Sequence, residues 1–157
     1  ELGAVNDPRI RDLAIMLIKQ ITAGVPTFSS DVVKMPASHL VVLKAWMDFY
    51  HAFRSVWSQP REPQNKQLDV WEMKDRHTAI VSVVFDACEA QIPDRQQVII
   101  MNGSSRDSVF LTSTGMRKGA VEIYDHRHQL VSRGRIQFSP TLRVNIPCGG
   151  MMVIRKK

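Results

Sequence analysis

The period of the hydrophobic pattern changes once along these 157 residues, close to residue 58, and that change limits the folds available. Ahead of it the spacing is helical. Asp7-Pro8 sets an N-cap before a proline at the first helical position, and Ile10, Leu13, Ala14, Leu17, Ile18 and Ile21 then recur on one face up to Gly24. From about Pro36 a second helix carries two apolar stripes, Leu40, Leu43, Met47 and Tyr50 on one and Val42, Trp46, Phe49 and Phe53 on the other. Such a helix needs neighbours on two sides. Residues 58–66 are polar and hold Pro60 and Pro63, the mark of a connection. Short β-type runs follow at 68–73, 79–85, 97–101, 108–112, 120–124, 135–138, 142–146 and 151–154, separated by turn residues such as Asn102-Gly103 and Cys148-Gly149-Gly150. About eight strands at this rhythm predict an antiparallel sandwich or barrel, and we expect the sandwich, in an α+β chain.

Residues 24–28, Gly24-Val25-Pro26-Thr27-Phe28, form an apolar run that suits a strand better than a helix. A single strand between two helices is buried only if parallel strands flank it, and the first half of the chain offers none. One amphipathic helix also cannot cover both stripes of the second. We therefore expect residues 1–58 to be the helical end of a larger α/β domain, residues 59–67 a linker, and residues 68–157 the β-sandwich. The competing arrangement is a self-contained α+β domain in which both helices pack on the sandwich.

Composition narrows the function classes. With 44% hydrophobic and 23% charged residues, the chain can bury a sizeable core, and no apolar stretch nears the roughly 18 residues that span a bilayer. Two cysteines, Cys88 and Cys148, are too few for a disulfide scaffold and have no metal-ligand spacing, which fits a reducing, cytoplasmic setting. The net charge of +6 is uneven: residues 104–157 hold ten basic and three acidic side chains. Arg133, Arg135, Arg143 and the others stand mostly singly and without an aromatic platform, so a solvated face is expected rather than nucleic-acid binding. His126-Arg127-His128 beside Asp125 lacks a full ligand set and reads as an exposed turn. Ser38, His39 and Asp48 have no nucleophile elbow around them, and Gly103-Ser104-Ser105 lacks the lysine of a phosphate loop. Trp46, Trp57 and Trp71 are spaced as packing residues, with sugar stacking open to Trp71. No cofactor or metal is implied.

The segment Gly24-Val25-Pro26-Thr27-Phe28-Ser29-Ser30-Asp31, with a helix before it and His39 to Arg54 after it, resembles the end of the (β/α)8 barrel in the melibiase-like α-galactosidase superfamily. There an apolar strand ends in a Ser-x-Asp turn, a short spacer leads into the closing helix, and an all-β C-terminal domain follows. Val32 stands where that family has leucine. The resemblance implies a carbohydrate-active glycoside hydrolase whose two carboxylates come from earlier strands, so that no catalytic residue lies in this chain and the chain alone is inert. Ser29, Ser30 and Asp31 are then candidate substrate-binding residues on the active-site side of the last strand. The implied partners are the remainder of the polypeptide, as catalytic barrel, and a carbohydrate substrate. The competing function is a free-standing binding module that engages an anionic polymer or partner through the basic sheet.

Overall fold

The structure, a computed structural model, describes residues 7–27 and 31–157. Among the described residues three α-helices precede ten strands: α1 (Pro8–Ala23), α2 (Ala37–Ala52) and α3 (Arg54–Trp57), then β1 (Glu62–Pro63), β2 (Val70–Lys74), β3 (Thr78–Phe85), β4 (Glu89–Ile92), β5 (Gln97–Ser104), β6 (Ser108–Ser113), β7 (Lys118–Tyr124), β8 (Leu130–Gln137), β9 (Thr141–Asn145) and β10 (Met151–Lys156). Seven strands form one sheet in the order β1-β2-β3-β5-β10-β7-β8, and β4-β6-β9 form a second.

The large sheet is the middle of three layers, and strand alternation explains why. On β3 and β5, Ile80, Val84, Ile99 and Met101 join the helices in one core, while Val81, Val83, Val98 and Ile100 join Val109, Leu111 and Val144 of the small sheet in another. Both faces are covered, so these strands read as nearly unbroken apolar runs.

Helix α1 starts where its local chemistry says it should. Asp7 Oδ1 accepts the Arg9 N–H at 2.9 Å, Pro8 follows, and Ile10, Ala14, Leu17, Ile18 and Ile21 are all buried. Burying each of the large ones contributes about 1.5–3 kcal/mol. The helix lies against β5 and β3, close enough that a Cβ placed on Gly103 would meet Ile18 Cγ2 at 2.8 Å. A buried hydrogen bond of 2.6 Å between the Thr22 and Ser82 hydroxyls ties the same helix to β3.

Helix α2 finds its two neighbours inside the chain. It packs along α1, while Trp46 meets the turn between β7 and β8: its Nε1 donates to the His126 carbonyl at 3.2 Å, and its ring stands 4.3 Å from that of His128. Val42, Leu43, Trp46 and Phe49 are buried, and Leu40, Met47, Tyr50 and Phe53 are partly so. Both helices therefore pack over one face of the large sheet.

Three expectations are corrected. The strand expected at residues 24–28 is not one over its described part: residues 24–27 lie outside any strand and pair with none of those described, and Val25 is 75% exposed; Phe28 lies outside the described residues. The sandwich has ten strands rather than about eight, β1 and β4 being additional. It is also not wholly antiparallel, since β3 pairs with β5, and β4 with β6, in parallel. The chain alternates between sheets from β3 to β6, so successive strands of one sheet are separated by two reversals and run the same way.

Candidate functional site

The connection after α1 holds the residues singled out for sugar contact. Ser29 and Ser30 lie outside the described residues. Asp31 is exposed and caps a single 3₁₀ turn, Val32–Lys34: its Oδ1 accepts the Val33 N–H at 3.0 Å, and Lys34 Nζ lies 3.8 Å from its other oxygen. That leaves one carboxylate oxygen facing solvent beside a lysine, an arrangement able to accept a hydroxyl hydrogen bond but with no second acid to work with it.

Apolar side chains crowd this end of the molecule. Among the described residues ten large hydrophobics are exposed, and five of them fall between residues 16 and 41: Met16, Val25 at 75%, Val32, Val33 at 93% and Val41. Val25, Val32 and Val33 belong to the connection between α1 and α2, whereas the solvent side of the helices is mostly charged, with Arg9, Arg11, Asp12, Lys44 and Asp48.

The turn at 125–129, expected to be exposed, is instead partly buried against α2. Asp125 Oδ1 accepts the Arg127 and Gln129 N–H groups at 2.9 and 3.0 Å and so shapes a tight turn that tucks His128 against Trp46 and Phe49. Burial pushes the His128 imidazole down to about 4 and lowers that of His126 as well. Both rings are therefore neutral at pH 7. No cluster of three metal-ligating side chains occurs among the described residues.

Cys148 is buried, and its thiol donates to Asp107 Oδ1 at 3.1 Å. Burial first, and the neighbouring carboxylate second, push its pKa up to about 12, so it is no nucleophile. The Asp125 turn and Cys148 thus do structural work.

The basic C-terminal residues separate into paired and unpaired groups. Glu122 takes both Arg155 and Arg133, the latter at 3.3 Å; the hydrogen bond from Arg155, then that from Tyr124, hold its carboxyl below the ordinary range. Lys156 meets Asp94 at 2.6 Å and Arg127 meets Asp125 at 3.7 Å. What the sequence reading missed is the cleft between β8 and the small sheet. Its volume is about 740 Å³, its floor is Val121, Ile123, Val144 and Met152, and Asp107 and Asn145 are in its lining, while Arg133 and Arg135, at the alternate positions of β8, turn their side chains to the other face of the sheet. The inward positions of β8 are Ser132 and Gly134, opposite Ile123 and Val121, and their small size leaves the two sheets apart there. A small residue at every second position of a late strand was the available signal.

Among the described residues, no helix is long and apolar enough to cross a membrane. Compared with family models, curated proteins and solved structures, the chain matches none of them.

Proposed function

We propose that this chain is the closing part of a glycoside hydrolase of the melibiase-like type, in which the sandwich braces a (β/α)8 catalytic domain and the two catalytic carboxylates stand on other parts of the complete protein. The observation that carries the reading is the exposed apolar group of the connection between α1 and α2, Val25, Val32 and Val33. Apolar side chains grouped in one exposed segment fit a surface that meets a second folded body. The resemblance over residues 18–54 supplies the second body, a barrel, and sets Ser29, Ser30 and Asp31 at its active-site rim, where two hydroxyls and a carboxylate can hold sugar hydroxyls. The reaction is then hydrolysis of an α-galactoside-like bond by double displacement, with retention at the anomeric carbon.

The test is the product of the complete reading frame, assayed on 4-nitrophenyl α-galactoside with the anomer of the released sugar followed by NMR. Retaining hydrolysis by the complete product, with residues 1–157 alone inactive, is expected. A frame that opens at Glu1, or a complete product that cleaves no aryl glycoside, overturns it. A second reading, a module that binds an anionic polymer, is favoured by one observation, the ten basic against three acidic side chains of residues 104–157. Binding to heparin that falls steeply with added salt supports that module, and no binding at any salt concentration removes it.

A further inference from the structure

A second cavity, of about 470 Å³, opens where the C-terminal end of α1 meets β2 and the end of β3. Its walls are largely apolar, from Trp71, Phe85, Leu68 and Val84, and its lining holds two cations, Lys19 and Arg61, and no carboxylate. Arg61 is held in place by Nη2, which donates to the Ile21 carbonyl at 3.3 Å, while its Nε is buried with no hydrogen-bond partner among the described residues. A buried guanidinium N–H left unmatched is costly and calls for an acceptor. Lys19 Nζ stands 4.9 Å from the centre of the Phe85 ring.

The backbone at the rim is strained. Leu68 and Phe85 have φ of 59° and 57°, two of the three non-glycine residues in the left-handed region among those described. Local bonds hold them there: Asn65 Nδ2 donates to Asp69, Trp71 Nε1 donates to the Leu68 carbonyl at 2.8 Å, and the Phe85 carbonyl accepts from Ser105 at 2.9 Å. The result keeps both side chains at the mouth, 51% and 60% exposed, where burial would ordinarily draw a leucine and a phenylalanine inwards. Strain that keeps apolar side chains at an open cavity is a mark of a ligand clamp.

We propose that this cavity binds a small carboxylate with a flat apolar body, an arylalkanoate, its carboxylate taken by the Arg61 guanidinium and Lys19 Nζ and its ring lying against Trp71 and Phe85. The site does not depend on the glycosidase reading. Its volume lies in the usual range for small-ligand pockets, and its few polar groups are of one sign.

The experiment is a titration of the whole chain, labelled with ¹⁵N, with phenylacetate, its neutral isostere phenylacetamide, and benzylamine. Phenylacetate is expected to shift the Trp71 Nε1–H and Arg61 Nε–H signals saturably. Phenylacetamide is expected to bind about tenfold more weakly, because it lacks the charge-assisted contact, and benzylamine not at all. F85N removes one wall while asparagine accepts the left-handed backbone, so the variant stays folded and binds phenylacetate about fivefold more weakly. Arg61→Gln gives a larger loss. The proposal is overturned if no probe shifts those two signals, if the amide binds as tightly as the acid, or if folded F85N binds as the parent does.

Discussion

Seating of α1 on the large sheet depends on one residue without a side chain. A Cβ on Gly103 would lie 2.8 Å from Ile18 Cγ2, 3.2 Å from Ile18 Cβ and 3.3 Å from Val84 Cγ1, the first a distance that real Cβ atoms do not reach. Ile18 is fully buried and cannot swing into solvent, so Gly103→Ala must push the helix outwards or distort β5. Overpacking of this kind costs about 1–3 kcal/mol. Replacing glycine within a strand returns about 0.5–1 kcal/mol through the smaller entropy of the unfolded chain. A 2.8 Å contact with a side chain that cannot move belongs in the upper part of the overpacking range, about 2–3 kcal/mol. A net loss of about 1–2.5 kcal/mol remains, which lowers Tm by roughly 2–10 °C in a chain of this length. Ile18→Ala alone costs about 2–5 kcal/mol through lost burial and the cavity left behind. In the double variant the alanine methyl of residue 103 occupies space that Ile18 has vacated, so the two losses should fall short of their sum by about 1–2 kcal/mol. Urea unfolding followed by far-ultraviolet circular dichroism and tryptophan fluorescence measures all four corners of the cycle. If G103A is neutral, or if the two losses add within about 0.5 kcal/mol, then α1 does not rest on β5 and the three-layer architecture is wrong.

The buried histidines make stability depend on pH. His128, at about 4 when folded, binds no proton between that value and its unfolded pKa of about 6.5, whereas the unfolded chain does; stability therefore rises with pH across that window and falls as acid is added. By linkage the loss between pH 7.5 and pH 5 is about 2 kcal/mol from His128 alone, and His126 acts in the same direction. His128→Asn keeps the left-handed backbone and should flatten the dependence, whatever it does at pH 7.5; an unchanged slope would show that the ring is not buried in solution. The cysteines should differ in reactivity: at pH 8 a disulfide reagent should modify one thiol per folded chain, Cys88, and two after unfolding, because Cys148 is buried with its pKa raised to about 12. Rapid modification of both in the folded protein would contradict that environment.

Features written by short-range chemistry could be read directly. The Asp7-Pro8 start and apolar face of α1, its end at Gly24, the two stripes of α2 and the core of most strands all follow from caps, turn residues and spacing within a few positions, and they stand in the structure close to where they were expected. The site was far less legible. Arg61, Trp71 and Phe85 are scattered over 25 positions, and their meeting with Lys19 depends on where α1 comes to rest.

Tertiary structure alone decided the rest, and each case has a physical cause. Residues 24–27 have the composition of a strand but pair with no described strand, and an apolar run of that length does not carry its partner within itself. Strand β4, Glu89–Ile92, and the first part of the exposed edge strand β8, ahead of the expected 135–138, are recognisable only by their backbone pairing, since neither has a continuous apolar pattern. Parallel pairing of β3 with β5 follows from the excursion of the chain into the other sheet, and the burial of His128 follows from Trp46 arriving from 82 positions away. Caps and periodicity act within one segment, so the sequence by itself could specify them; pairing and burial are properties of two segments at once, and only the folded chain brings the second one into place.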